Sequence, residues 1–108
     1  MTTANIIPRK EPDFGLDNND IPRHWFDNHA YKSRLLDAMS TQFPEGERYF
    51  IACVRDYRGQ VQDPALGERV KDFIYQEAQH GLAHDRYNAH LSAQGVRVDK
   101  IDALVKSN

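Results

Sequence analysis

A row of residues in the second half of the chain recurs at alternating intervals of four and three. No other feature of the sequence constrains the fold as strongly. Its members are Leu66, Val70, Phe73, Glu77, His80, His84, Tyr87 and Leu91. Positions three and four apart share one face of an α-helix. The row therefore predicts a helix from Pro64 to about Ala93, with Asp63 as its N-cap and its end near Gly95. A stripe of this kind packs against another helix.

The preceding segment, residues 31–57, carries a second stripe of the same period. Its members are Leu36, Ser40, Phe43, Glu47, Phe50, Val54 and Tyr57. Pro44 interrupts it, because a proline costs about 3 kcal/mol inside a helix but is tolerated in a first turn. The segment is therefore predicted to form either two helices, at about 31–42 and 44–58, or one kinked helix.

The two stripes predict an all-α protein, because no segment shows sustained alternation with a period of two. The loop at residues 60–63 is short enough to make the two long elements antiparallel neighbours. We expect Phe50 and Phe73 to lie buried between them. A short tail helix is predicted over residues 98–106.

Residues 1–28 lack sustained periodicity and are predicted to form an irregular arm, which Ile21, Trp25 and Phe26 anchor to a helical domain at residues 29–108. The net charge of −2 favours neither nucleic acid nor an anionic membrane as a partner. No apolar run approaches the roughly 20 residues of a membrane span. Cys53 is the only cysteine, so a reducing, cytoplasmic setting is expected.

Ionisable residues interrupt both apolar stripes. An unpaired buried charge costs several kcal/mol, so such residues need partners or a metal ion. Glu47 and Glu77 stand at similar distances from the turn, which places them at the same height in an antiparallel pair. We therefore expect them to face each other, with His80 one turn further along. His84 either binds the same metal, orients a ligand, or is a hydrogen-bonded core histidine.

Glu77 and His80 form a Glu-x-x-His motif, whose spacing places both side chains on one helix face. Carboxylate and imidazole suit iron, manganese or zinc. Di-metal four-helix bundles combine two such motifs with two further glutamates, and this chain supplies half of that set. Either a homodimer or further C-terminal helices would complete the bundle. His90 lies off the stripe and is expected to be exposed.

An ordered series of motifs resembles a bacterial family of predicted metal-dependent hydrolases with a ferritin-like helical core. The motifs are IPRHWF at 21–26, FPEGERYF at 43–50, DPAL at 63–66, FIYQEAQH at 73–80 and HDRYN at 84–88. The resemblance spans about residues 20–91. It implies a ferritin-like antiparallel hairpin, or half of a four-helix bundle, with a metal site at Glu47, Glu77 and His80 and with His84 close by.

The same resemblance implies hydrolysis of a small molecule, whose identity and catalytic residues the sequence does not give. Family members are usually longer, with later helices that complete the bundle. Two alternatives stand beside the hydrolase. One is a ferritin-like di-iron redox or metal-handling protein, because carboxylate and histidine ligands serve both chemistries. The other is a non-catalytic, truncated helical module.

Overall fold

Three helices account for the secondary structure of the described residues. The computed structural model describes residues 6–17 and 20–107. Helix α1 spans Ala30–Arg58, α2 spans Pro64–Ala93 and α3 spans Val98–Ser107. The described ranges contain no strand, so the predicted all-α class is confirmed. The two long helices form a hairpin, and α3 folds back mainly against α1.

The ends of α2 follow the local sequence signals. The Asp63 side chain accepts a hydrogen bond from the Ala65 N–H at 3.0 Å, and Pro64 occupies the first turn. Both features satisfy or remove N–H groups that a helix N-terminus leaves unpaired. Beyond the last turn, Gly95 adopts φ +95°, a left-handed conformation that suits glycine.

Helix α1 runs without a break through Pro44, so the first segment is one helix and not two. Proline has no N–H and therefore cannot bond the carbonyl four residues earlier, which belongs to Ser40. The side chain of Asn88, on α2, donates to this carbonyl through Nδ2 at 3.1 Å. A contact between the helices thus replaces the hydrogen bond that the proline removes.

The surface of α1 that is buried against the rest of the molecule is mostly polar. Its buried residues are Ser33, Asp37, Ser40, Thr41, Pro44 and Glu47. Among the described residues, Leu91 is the only buried aliphatic or aromatic residue apart from proline. Phe50 is 53% exposed, so its predicted burial is wrong, and Phe73 is only half-buried. Helix α1 is rotated so that the row through Asp37, Ser40 and Glu47 faces inward, which leaves the large apolar residues at the side of the hairpin.

Trp25 fixes the N-terminal arm to both long helices. Its Nε1 donates to Asp37 Oδ1 at 2.9 Å, and the Tyr87 hydroxyl donates to the same oxygen. The backbone N–H of Phe26 donates to Ser33 Oγ at 3.1 Å. The predicted anchoring role of Trp25 and Phe26 is confirmed.

The arm also covers His90, whose predicted exposure is wrong. The ring is half-buried, and its Nε2 is hydrogen-bonded to the backbone carbonyl of Leu16. Helical periodicity could not reveal this contact, because the arm that makes it lies 74 residues away in sequence. In the part of the chain that the structure describes, no helix is long and apolar enough to cross a membrane.

Candidate metal centre

Glu47 is a buried carboxylate to which no described residue donates a hydrogen bond. Its side chain points from α1 towards α2, and the residue is 5% exposed. Neither carboxylate oxygen has a hydrogen-bond partner among the described residues. Gly81 makes room for it, because a Cβ atom at that position would lie 2.9 Å from Glu47 Oε2. A buried carboxylate in this state is costly unless a cation joins it.

Two histidines of α2 flank this carboxylate. His80 Nδ1 lies 2.8 Å from Glu47 Oε1, although the two atoms are not aligned as a hydrogen bond. On the other side of the ring, His80 Nε2 lies 3.0 Å from His84 Nε2. One ligand atom from each of Glu47, His80 and His84 fits within 4.8 Å of the others. One carboxylate and two imidazoles thus converge in the arrangement that transition-metal sites use.

Glu77 lies at the edge of this cluster. Its Oε2 is 3.9 Å from His80 Nδ1, and its side chain is 22% exposed. Burial raises the pKa of Glu47, and the negative charge of Glu77 adds to that shift. His84 takes a more central place than the sequence assigned to it, because it shares the cluster with Glu47 and His80.

Burial sets the charge states at the centre. Desolvation raises the pKa of Glu47 above its ordinary value of 4.5, with Glu77 and Asp85 adding to the effect and His80 opposing it. Desolvation also lowers the pKa of His84 below 6.5, and His80 reinforces this shift. A neutral imidazole retains the lone pair that a metal needs. The low pKa of His84 therefore favours its ligating form.

An apolar cleft of about 550 Å³ opens beside the two histidines. The arm supplies one wall and α1 another, through Phe14, Leu16, Ile21, Trp25, Leu36 and Phe43. The edge of the Phe43 ring packs against His84, with the ring centroids 4.8 Å apart. His80 is exposed at the side of the cleft, so small molecules have a path to the cluster.

Sequence reasoning missed the importance of Ser40, Gly81 and Asn88. Ser40 Oγ lies 2.8 Å from both His84 Nδ1 and Asn88 Oδ1. The sequence contains a partial signal, because Asn88 follows His84 by four positions and so lies on the same helix face. Ser40 has a local signal too, since it stands four residues before the proline inside α1.

Gly81→Ala should weaken metal binding without weakening the fold. The added Cβ would displace the carboxylate of Glu47, which can rotate away at little cost. Alanine in a helix interior is about 1 kcal/mol more favourable than glycine. We expect an unchanged or higher melting temperature without metal and a clearly reduced zinc affinity in titration calorimetry.

The matched control is Gly67→Ala on the same helix, where a Cβ would meet nothing within 4 Å. It carries the same gain in helix propensity and should leave the zinc affinity unchanged. Equal zinc affinities in the two variants would contradict the position assigned to the Glu47 carboxylate.

The comparison with known proteins agrees with this geometry. A family model described as predicted metal-dependent hydrolase matches residues 8–108 of the chain. This match confirms the family resemblance found in the sequence and extends it to residues 8–19 of the arm and to α3. No curated protein and no solved structure matches the chain.

Proposed function

The chain belongs to the family of predicted metal-dependent hydrolases, and we propose that it binds a divalent metal ion through Glu47, Glu77, His80 and His84 and hydrolyses a small molecule beside it. The observation that carries this proposal is the state of Glu47. It is buried, both of its oxygens lack a hydrogen-bond partner among the described residues, and two histidines stand next to it.

The residues present fit such an ion chemically. Glu47 supplies the buried negative charge that attracts a cation, and His84 supplies a neutral nitrogen. His80 lies between these two residues, so both of its ring nitrogens face atoms of the cluster. Iron, manganese and zinc all accept mixed carboxylate and imidazole ligands.

Bound at this centre, a divalent ion would supply Lewis-acid chemistry, lowering the pKa of a water molecule and polarising a carbonyl or phosphoryl oxygen. Glu77 is the carboxylate that solvent reaches, whereas Glu47 is enclosed. We assign Glu77 a second role as the general base, through the carboxylate oxygen that does not bind the ion. This oxygen takes a proton from the attacking water and returns it to the leaving group. The apolar cleft beside His80 and His84 holds the body of the substrate.

Metal analysis of the purified protein tests the proposal first. Near-stoichiometric zinc, manganese or iron is expected, and hydrolysis of chromogenic ester and phosphoester substrates should require the metal. Glu77→Gln should lower turnover more than it lowers metal affinity, while Glu68→Gln, an exposed change on the same helix, should affect neither. A protein that binds none of these metals would refute the proposal. Bound iron with a di-iron charge-transfer band and no hydrolysis would point instead to ferritin-like redox chemistry.

We further propose that a second copy of the chain covers the side of the hairpin. Large apolar residues of α1 are exposed there outside the cleft, among them Leu35 and Phe50. Exposed apolar patches mark interaction surfaces, and two hairpins paired about a twofold axis would form a four-helix bundle. Sedimentation velocity at micromolar concentration should show a dimer. A stable monomer with unchanged metal binding would exclude the dimer and leave the metal site standing.

A further inference from the structure

The side-chain amide of Asn88 has one orientation that fits its surroundings. Its Nδ2 lies 3.1 Å from the backbone carbonyl oxygen of Ser40, and its Oδ1 lies 2.8 Å from Ser40 Oγ. A carbonyl oxygen only accepts hydrogen bonds, so the atom that faces it must be the NH₂ group. The oxygen of the amide therefore faces the serine hydroxyl. Because that oxygen also only accepts, the Ser40 hydroxyl must donate.

This assignment decides where the proton of His84 lies. Ser40 Oγ is also 2.8 Å from His84 Nδ1. A serine hydroxyl has a single proton, and Ser40 already donates it to Asn88. The remaining hydrogen bond requires His84 Nδ1–H to donate to Ser40 Oγ. In neutral His84 the lone pair then belongs to Nε2, the atom that faces His80 within the metal-ligand cluster.

Pro44 explains why the Ser40 carbonyl is free to accept the hydrogen bond from Asn88. Since Pro44 has no N–H, it leaves the Ser40 carbonyl without its usual helical partner, and Asn88 occupies that position. Ser40 and Asn88 are both buried, so water does not compete for these hydrogen bonds. A proline in one helix thereby sets the orientation of an amide on the other.

We propose that Ser40 and Asn88 are positioning residues that hold His84 in the Nδ1–H tautomer and so present Nε2 to the metal ion. This inference rests on the metal site proposed above. Partners that fix the tautomer of a ligating histidine typically contribute a factor of about 10–100 in metal affinity. A serine–asparagine pair here takes the part that a carboxylate or backbone carbonyl takes in many metal sites.

The tautomer can be measured without any metal. In the metal-free protein at alkaline pH, where the imidazole is neutral, ¹⁵N NMR distinguishes a protonated Nδ1 from a protonated Nε2. We expect His84 to be protonated at Nδ1 in the wild type and to become a mixture of tautomers in Ser40→Ala. Protonation at Nε2 in the wild type would overturn the proposal, even if a variant failed to fold.

Zinc affinity gives the second readout. Ser40→Ala should bind zinc about 10–100-fold more weakly than the wild type, and Ser40→Thr, which restores a hydroxyl, should recover much of the loss. Ser33→Ala is the matched control. Ser33 is a buried serine on the same helix whose hydroxyl donates to the His29 carbonyl, away from the metal site.

The outcomes separate this inference from the proposed function. Zinc binding of equal strength in wild type, Ser40→Ala and Ser33→Ala would refute the positioning role of Ser40 while leaving the metal site intact. A wild type that binds no zinc, manganese or iron would refute the site itself. An equal loss of zinc affinity in Ser40→Ala and Ser33→Ala would reveal a general packing effect and would also refute the positioning role of Ser40.

Discussion

A hundredfold excess of a binding metal over its dissociation constant should raise the melting temperature of the wild-type protein by about 10–20 °C, and Glu47→Gln should abolish that rise. Binding to the folded state alone contributes about 2.7 kcal/mol at this excess, and 1 kcal/mol shifts a small domain by about 4–8 °C. Glutamine preserves the shape of Glu47 but removes the charge that attracts the cation. Thermal melts with and without zinc, manganese or iron measure the difference.

Without metal, the same substitution should stabilise the protein, and the gain should depend on pH. Burial holds the pKa of Glu47 above 4.5 in the folded state, so ionisation is easier in the unfolded chain. The contribution of Glu47 to stability is therefore greatest below pH 4.5 and is lost as the pH rises through the folded-state pKa. Glu47→Gln does not titrate, so its advantage over wild type should appear only as the pH rises. Glu68→Gln, an exposed change on α2, should follow the wild type throughout.

The two measurements give Glu47→Gln effects of opposite sign, which an ordinary packing residue would not show. A variant that responds to every metal as the wild type does would mean that Glu47 is not a ligand. If the difference in melting temperature between wild type and Glu47→Gln stays constant with pH in the absence of metal, ionisation of the Glu47 carboxylate does not destabilise the folded state.

The sequence predicted the helices well because their signals are local. The period of the α2 stripe, the cap at Asp63 and the glycine at position 95 each act within a few residues. The facing surface of α1 depended instead on contacts across the hairpin. Ser40 pairs with Asn88 and Asp37 with Tyr87, so the polar row turns inward, although the neighbouring row with Phe50 is more apolar. The period of the apolar residues alone could not determine which of two overlapping faces of α1 is buried against α2.

The candidate site was predictable in part for the same reason. Glu47, His80 and His84 interrupt apolar stripes, and that interruption is visible in the sequence. Their arrangement was less visible, because the partner that orients His84 is Ser40, 44 residues away. Sequence spacing therefore identified the residues of the cluster, but it predicted that Glu77 lies closer to the centre than His84. In the structure, His84 is the more central of the two.

Asp37→Ala should release the N-terminal arm and lower the melting temperature by more than about 10 °C. The buried carboxylate of Asp37 accepts hydrogen bonds from Trp25, Tyr87 and Arg34, the last at 3.1 Å. The substitution leaves the Trp25 and Tyr87 donors without their acceptor, which costs about 1–3 kcal/mol for each donor that stays buried. Each kcal/mol shifts a domain of this size by several degrees. Asp37→Asn keeps an acceptor oxygen and should lose less.

Fluorescence can report the release directly, because Trp25 is the only tryptophan of the chain. Its emission should shift to longer wavelength in Asp37→Ala, since the indole, which is 39% exposed in the wild type, would lose Asp37 and the Tyr87 ring and become more exposed to water. Asp56→Ala, an exposed aspartate change on the same helix, should alter neither emission nor melting.

The arm forms one wall of the cleft, but its described residues, 6–17 and 20–28, contribute no ligand atom to the Glu47, His80 and His84 cluster. Metal should therefore still raise the melting temperature of Asp37→Ala from its lower starting point, while hydrolysis of substrates that fill the cleft should fall. Unchanged emission and melting would show that Trp25 does not depend on Asp37 for its position. Loss of the metal response would show instead that the arm supports the metal centre as well as the cleft.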